Sequence, residues 1–393
     1  MNEGSGVMAE AIVVGAGVVG ASIAFHLAER GVDTLVLDRE GPAAGSTARS
    51  GALVRAHYPT ELETSLAWES LTEYFEPWGD RVGGGCGFTR TGFAYLADGE
   101  NEEALRHNVA MQREIGVETN LVTPHDLREI DPALSMSGVT LGAYEPRGGY
   151  ADPTATAVGF LRAAESLGAR FERQRVTGIL ERGGEVRGVR ANEGDVESPV
   201  VVLAAGAWSV PIAGSVGLDL PIHPARVRVA LFERPYSLPT HLTIIDTVEG
   251  FYARPTAERA TLVGSRSSLE WLGDPDEQDV DPDADFIEKA SRMVCRRIPA
   301  MEGAPYRSGR SGVLDMTPDG RPILGPEGPE GLFLAAGWSG TGFKKAPAVG
   351  AEVARWVVDG APKRPEMEGY DLGRFEEGRL IRGDYEYGVR TPH

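Results

Sequence analysis

The stretch AIVVGAGVVGASIAFHLAERGVDTLVLDR, residues 11–39, decides the fold. Ala11 to Val14 form a short apolar run of the kind a buried parallel strand needs, and Gly15 breaks it. Gly15, Gly17 and Gly20 then satisfy the spacing G-x-G-x-x-G. The first glycine permits a tight turn, the second lets backbone approach a phosphate, and the third lets helix and strand pack closely. Val19, Ile23 and Leu27 follow at helical spacing, so the helix would point its free N–H groups at an anion. Gly31 ends that helix, Thr34 to Leu37 read as the second strand, and Asp38 closes it 18 residues after Gly20. An acid there is placed to accept hydrogen bonds from a ribose diol and disfavours a 2′-phosphate, which makes NADP the poorest candidate. The pattern therefore predicts a dinucleotide site. His26, inside the helix among apolar neighbours, reads as a packing residue.

Composition narrows the class. A chain of 393 residues can bury a large core, and two domains are expected. Hydrophobic content of 41% and charged content of 25% fit a soluble globular protein. No apolar stretch is long enough for a membrane span and no basic-then-apolar leader is visible, so a cytoplasmic enzyme is expected. Two cysteines, Cys86 and Cys295, argue against a disulfide framework, and no metal-ligand spacing stands out. The net charge of −19 opposes nucleic acid and anionic membrane as bulk partners. Part of that charge is local: DPDEQDVDPDAD, residues 274–285, reads as a solvated loop. MNEGSGVMAE at the start reads as a disordered lead.

Beyond the first unit, GSTARSGALVRAHYP (45–59) is a polar loop whose backbone can approach a ligand, with Arg49 and Arg55 added. An acidic amphipathic helix follows from about Glu61 to Glu73. Residues 86–144 change character, with a strand pair in GFTRTGFAYLADG, a helix in ENEEALRHNVAMQREIG and a Thr-capped helix in TPHDLREIDP. Residues 144–171 return to a turn and a long helix, capped by Thr154 or Asp152 with Pro153 in its first turn. QRVTGIL and GEVRGVRAN are strands joined at Gly183 and Gly184, and SPVVVLAAGAWS (198–209) is a second buried strand. A β-rich insertion runs from about Pro221 to Pro299. PEGLFLAAGWSGTGFKKAPAVGAEVARWVVDG (329–360) supplies another strand, turn and helix.

Three matches in this order, the glycine fingerprint, VVVLAAGAWS and GLFLAAGWSGTGFKKAPAVG, resemble the D-amino-acid-oxidase-like flavoproteins. GALVRAHY, RGGYADP, FYARP and DMTPDGRPILGP are similar to the branch of sarcosine oxidases, dimethylglycine dehydrogenases and glycine oxidase, and DLGRFEEGRLI resembles the ending of sarcosine oxidase β-type chains. The resemblance spans nearly the whole chain. It implies an α/β fold: a Rossmann-like, glutathione-reductase-type FAD-binding domain (9–85, 145–215 and 305–365) interrupted by a β-rich α+β substrate domain (86–144 and 216–304). A tail, 366–393, would pack on the FAD domain.

The resemblance also implies site residues. Besides Gly15, Gly17, Val19 and Gly20, Asp38 and Arg39 would sit at the adenosine ribose, and Ser46, Thr47, Ser50 and Gly51 would line the pyrophosphate and flavin. Val176 would touch the adenine side, and Ala205, Gly206 and Trp208 would back the cofactor. Gly337, Trp338, Ser339, Gly340, Thr341, Gly342 and Phe343 would form the turn at the isoalloxazine, leading to a helix whose positive end stabilises the reduced ring. Arg55 and Lys344 match cations at the substrate carboxylate, and Tyr252 matches a tyrosine beside the substrate. Arg254 joins that set, with a structural role as the alternative.

Departures from the branch shape the expectation. Some sarcosine oxidases link the flavin to a Cys five residues before the Thr matched by Thr317; here Gly312 stands there. STARSG lacks the linking His of dimethylglycine-type chains, so FAD is expected to be non-covalent. Leu262 occupies the place of an oxygen-activating lysine, which leaves oxygen or another electron acceptor open, and Leu314 replaces an arginine of glycine oxidase. The implied activity is hydride removal from the carbon beside the nitrogen of a small secondary or N-methylated amino acid, giving an imine that hydrolyses. The alternatives are an FAD-dependent 2-hydroxyacid dehydrogenase, or a flavin subunit of a multi-subunit sarcosine oxidase complex.

Overall fold

The computed structural model describes residues 9–265, 269–278 and 280–387. The lead before Ala9, residues 266–268 of TLVGSRSS, Asp279 of the acidic stretch and residues 388–393 lie outside them.

Ala11–Val14 is buried along its length and lies inside a six-stranded sheet. The order is Ile323–Pro326, Leu332–Ala336, Val201–Leu203, Ala11–Val14, Thr34–Asp38 and Arg170–Arg173. All neighbours pair parallel except Ile323–Pro326, which runs antiparallel at the edge. The central strands Ala11–Val14, Val201–Leu203 and Leu332–Ala336 read as continuous apolar runs because both faces are covered, whereas the edge strand Arg170–Arg173 is only half-buried. Val13, Val36 and Val202 pack against the helices Val18–Glu29, Pro153–Ser166 and Ala346–Asp359. Ile12, Leu35 and Leu203 point the other way, onto a three-stranded antiparallel sheet of Val176–Arg182, Glu185–Ala191 and Gly194–Glu197. Of the two candidate caps, Asp152 takes the position: its Oδ1 accepts the Ala155 N–H at 2.8 Å, with Pro153 next.

The second module is built on a nine-stranded sheet. Phe93–Ala97, Asn120–Val122 and Leu141–Glu145 come from the first insertion, and Thr243–Asp246, Phe251–Pro255, Ala260–Gly264 and His223–Glu233 from the second. Thr243–Asp246 pairs with Phe93–Ala97 and so joins the two insertions into one sheet. Helix Glu102–Ile115 ends at Gly116 (φ 100°), and Thr123 with Asp126 forms a reciprocal cap on Pro124–Ile130.

Three features differ from the sequence reading. Tyr306–Met316, which the sequence assigns to the FAD-binding domain, pairs antiparallel with His223–Glu233 in the second sheet. The chain rejoins the first sheet only at Ile323–Pro326. The alternation in YRSGRSGVLDM is weak, and a long partner strand overrides it. The β-rich insertion also contains a helix, Ala284–Arg297, started by Asp283 Oδ1 accepting the Phe286 N–H at 2.8 Å. The acidic stretch therefore ends as a cap and first turn, a signal hidden among its repeated Asp and Pro. Finally, the tail spans both modules. Met367 and Tyr370 enter the core beside the first sheet, whereas Tyr385 stacks on His107 at 3.8 Å and Tyr387 lies 4.5 Å from Tyr95. Among the described residues, no helix is long and apolar enough to cross a membrane.

Candidate active site

Gly15 has φ 108°, and a Cβ there would stand 2.5 Å from the Ala204 carbonyl oxygen. A Cβ at Gly20 would lie 1.9 Å from the Gly15 carbonyl, so only glycine lets the helix close on the strand. Gly17 is the N-cap of Val18–Glu29 without a side-chain cap of its own. Instead the Thr47 hydroxyl accepts the Val18 N–H at 3.1 Å, which ties the Ser/Thr loop to the positive end of the helix. Asp38 braces the turn: Oδ2 accepts the Ala16 N–H at 2.8 Å, and Oδ1 accepts Glu40 and Gly41 N–H at 2.9 Å each. Oδ1 is filled by its two bonds, but Oδ2 can accept one more, so a ribose hydroxyl can still be recognised here.

Next to Asp38, the Arg39 guanidinium lies 4.6 Å over the Trp208 ring. Asp276, from the acidic stretch of the other module, binds both: 2.5 Å to Arg39 and 2.7 Å to Trp208 Nε1. That stretch is thus partly a contact across the two modules rather than a solvated loop throughout.

Of the residues singled out from sequence, all line one cavity of about 520 Å³ except Gly20, Gly337 and Arg254. Gly337 stands behind the wall with φ 80° and donates to Asp315 Oδ2 at 2.8 Å, fixing the turn that carries Trp338 to Phe343. Within that turn Ser339 also has positive φ (50°), a strained conformation of order 1 kcal/mol for a non-glycine residue. The turn does not run straight into the following helix, which begins only at Ala346. Arg254 is buried, donates to the Gly51 and Pro255 carbonyls and covers the Tyr150 ring at 4.4 Å. Leu262 is buried in its strand and is likewise absent from the wall.

Three cations converge on one aromatic ring, and two of them, Arg55 and Lys344, also line the cavity. The Arg55 guanidinium lies 4.4 Å over Tyr58, and Lys344 Nζ is 5.9 Å from the same ring. Arg55 also donates to the His57 carbonyl. Tyr252 is wedged between Gly51 and Gly264, where added Cβ atoms would approach its ring to 2.8 and 2.3 Å. The neighbouring Lys345 lies 4.9 Å from the same ring but is buried behind the wall and bonds Glu63 Oε1 at 2.5 Å. Arg321 Nε stands 2.7 Å from Glu63 Oε2 as a charge contact rather than an aligned hydrogen bond. Burial opposes ionisation of Glu63, but Lys345 and Arg321 outweigh it and hold the carboxyl below its ordinary range.

Three further buried groups stand at the site, two of them, Glu145 and His57, beside Arg55. Burial pushes the Asp315 carboxyl up to about 6, and Asp315 lies on the cavity wall. Burial pushes Glu145 up to about 7; its Oε2 accepts the Ala56 N–H at 2.9 Å, and its Oε1 has no hydrogen-bond partner among the described residues. Burial and the Arg55 charge pull His57 down to about 3, so it is neutral.

The pattern of the family described as "FAD dependent oxidoreductase" (DAO) matches residues 10–356. The chain belongs to this family. It is similar to sarcosine oxidase subunit beta of Rhodobacter capsulatus, 25% identical over 388 residues, covering 97% of this chain and 92% of that one. It also resembles mouse mitochondrial sarcosine dehydrogenase, 25% identical over 381 residues, but the match covers 93% of this chain and only 41% of the relative. The chain thus spans about two-fifths of the mitochondrial sarcosine dehydrogenases it matches. Among solved structures, L-proline dehydrogenase from P. horikoshii superposes with a TM-score of 0.89 at 30% identity, covering 96% of this chain and 100% of that one.

FAD is therefore the cofactor, and the site has the features such a dinucleotide needs. A Cβ-free cradle at Gly15, a helix N-terminus at Gly17 and an acid at Asp38 share one wall with the Trp338–Phe343 turn. Sequence reasoning missed Tyr58, Glu145, Asp276 and Asp315. Tyr58 and Asp315 stand in matched stretches (GALVRAHY, DMTPDGRPILGP), and the acid that breaks the apolar run VL before Met316 was the available signal for Asp315.

Proposed function

We propose that this FAD-dependent oxidoreductase oxidises a secondary or N-methylated amino acid at the carbon beside its nitrogen. The reading is carried by one observation: Arg55 and Lys344, both beside the Tyr58 ring, stand on the wall of the cavity that Gly15 and Gly17 also line. Sarcosine oxidase subunit beta, sarcosine dehydrogenase, L-proline dehydrogenase and a 4-methylaminobutanoate oxidase from Paenarthrobacter nicotinovorans are named for substrates of this chemical class, which supports it.

Gly15, Gly17 and Thr47 would hold the pyrophosphate, Asp38 the ribose, and the Trp338–Phe343 turn the ring system. Bound FAD would be the two-electron oxidant that takes up the substrate's hydride; the amine would become an imine, which water would cleave to a carbonyl and an amine. The electrons leave to oxygen or another acceptor. The chain's own work is placement. Arg55 offers a planar fork that grips both carboxylate oxygens, Lys344 adds a point charge, and Tyr252 closes the pocket. Two cations offset the desolvation of the carboxylate, which unpaired would be prohibitive. No protein base is needed when the amine arrives neutral, because its lone pair forms the new C=N bond as the hydride departs.

The test is Arg55→Ala, titrated with amino acids and with matching amines that lack the carboxylate. Loss of a buried charged partner costs about 2–5 kcal/mol, so use of the amino acids should fall at least roughly thirtyfold with FAD content near normal. No loss, or equal loss for both sets, refutes the assignment. Hydroxyacids run alongside separate amine oxidation from the hydroxyacid alternative.

A further inference from the structure

We infer that the segment Gly383–Tyr387 positions both cationic arms of the carboxylate site: Tyr387 acts through His57 on Arg55, and Glu386 acts through Arg321 and Glu63 on the lysine pair. The inference rests on Arg55 and Lys344 being those arms.

The first connection is a chain of assigned donors and acceptors. Gln112 Nε2 donates to the Tyr58 carbonyl at 2.9 Å, which leaves its Oε1 as an acceptor 3.0 Å from His57 Nδ1. The neutral His57 ring therefore carries its proton on Nδ1, and Nε2 accepts from the Tyr387 hydroxyl at 2.5 Å. Tyr387 also stacks on His57 at 5.5 Å and lies against Tyr95. His57 is thus fixed on both ring nitrogens and one face, and its carbonyl receives the Arg55 guanidinium.

The second connection starts one residue earlier. Glu386 Oε1 accepts from Arg321 at 2.9 Å and from the Gly383 N–H at 2.8 Å. Arg321 is shared with Glu63, and Glu63 holds Lys345, whose chain neighbour is Lys344. The segment is itself anchored on the second module: Asn108 donates to the Tyr385 carbonyl at 2.9 Å, and Tyr385 stacks on His107. One short segment therefore joins the element carrying Arg55 to the element carrying Lys344. A carboxylate fork tolerates little misplacement, so this join bears on substrate binding rather than on the cofactor.

The experiment uses the FAD-loaded full chain and acetate as the carboxylate probe, followed by the perturbation of the cofactor's visible absorbance. Tyr387→Phe keeps the ring stack and removes the hydroxyl; Glu386→Gln removes the charge at a half-exposed site where folding is not at stake. Each should weaken acetate binding about five- to tenfold, the size expected for one lost polar contact. FAD content and melting midpoint should stay at the wild-type level, and dimethylamine, which has no carboxylate, should bind as before. Arg55→Ala separates the two levels of argument. If it leaves acetate binding unchanged, the carboxylate reading itself fails. If it weakens acetate but both segment variants stay within twofold of wild type, the positioning inference is overturned and the site assignment stands. Parallel loss of acetate and dimethylamine binding, or of FAD, marks a merely structural segment and also overturns it.

Discussion

Glu63→Gln should destabilise the protein strongly, and the reason lies in three side chains. Glu63 and Lys345 are each 1% exposed, and Arg321 is 12% exposed. Removing the carboxylate charge leaves Arg321 with Glu386, but Lys345 loses its ion pair with Glu63. Breaking a buried pair from one side costs about 3–5 kcal/mol. An unfolding entropy of roughly 2 cal/mol/K per residue turns that into a fall of about 4–6 °C in melting midpoint for a chain of this length. The loss should depend on pH. Burial already pulls the Lys345 ammonium down, and without Glu63 it falls further. Below that lowered value the native state must keep a buried, unpaired cation, whereas above it the lysine sheds its proton and the penalty shrinks. The deficit is therefore largest near neutral pH and narrows towards pH 10. Calorimetry of the FAD-loaded protein across that range measures it. Glu63→Gln with Lys345→Met, which removes both charges, should recover much of the loss. A single variant melting within 1 °C of wild type, or a double variant no better than the single, refutes the argument.

Acid precipitation should release FAD into the supernatant, because Gly312 and the STARSG loop offer no linking side chain; colour that stays with the pellet contradicts this. Glu145 binds its proton more tightly when folded, with a value of about 7 against an ordinary 4.5, so its contribution is full below about pH 4.5 and fades as pH rises to 7. The loss amounts to at most ~3 kcal/mol, and Glu145→Gln should flatten the fall in melting midpoint between pH 5 and 8 by roughly 4 °C. Parallel curves for the two proteins would show that Glu145 does not titrate in this window.

The dinucleotide unit was readable because it is local: strand, turn, helix and acid lie within 29 consecutive residues, and each constrains the next. The same holds for the Thr123 cap and for the Gly116 stop. What stayed hidden is set by distant partners. Asp276 meets Arg39 across 237 positions and Tyr387 meets His57 across 330, and nothing in their own neighbourhoods announces it. Glu145 looks like any turn-flanking acid until Ala56, 89 residues earlier, is seen to donate to it. Lys344 and Lys345 are adjacent and chemically alike; only the fold sends one to the cavity wall and the other to Glu63. Strand Tyr306–Met316, which the sequence groups with the FAD-binding domain, pairs with His223–Glu233, because a weakly patterned strand takes its place from its partner.

The interleaving of the two sheets governs how the molecule comes into being. Ala11–Val14 finds Thr34–Asp38 close behind it in the chain, but the strand on its other side begins at Val201, and that strand's other neighbour begins at Leu332. At ribosomal speeds of about 5–20 residues per second, the first oily strand waits roughly 10–40 s for one partner, and the sheet needs about 15–70 s of synthesis. Parallel pairings this far apart are slow to close, so neither module can mature as an early, self-sufficient unit. Through that interval the nascent chain carries unpaired strand edges of the kind that aggregate or engage chaperones. The cavity, whose walls run from Val14 to Lys344, is complete only once that whole span has emerged, so cofactor capture must follow the synthesis of both sheets.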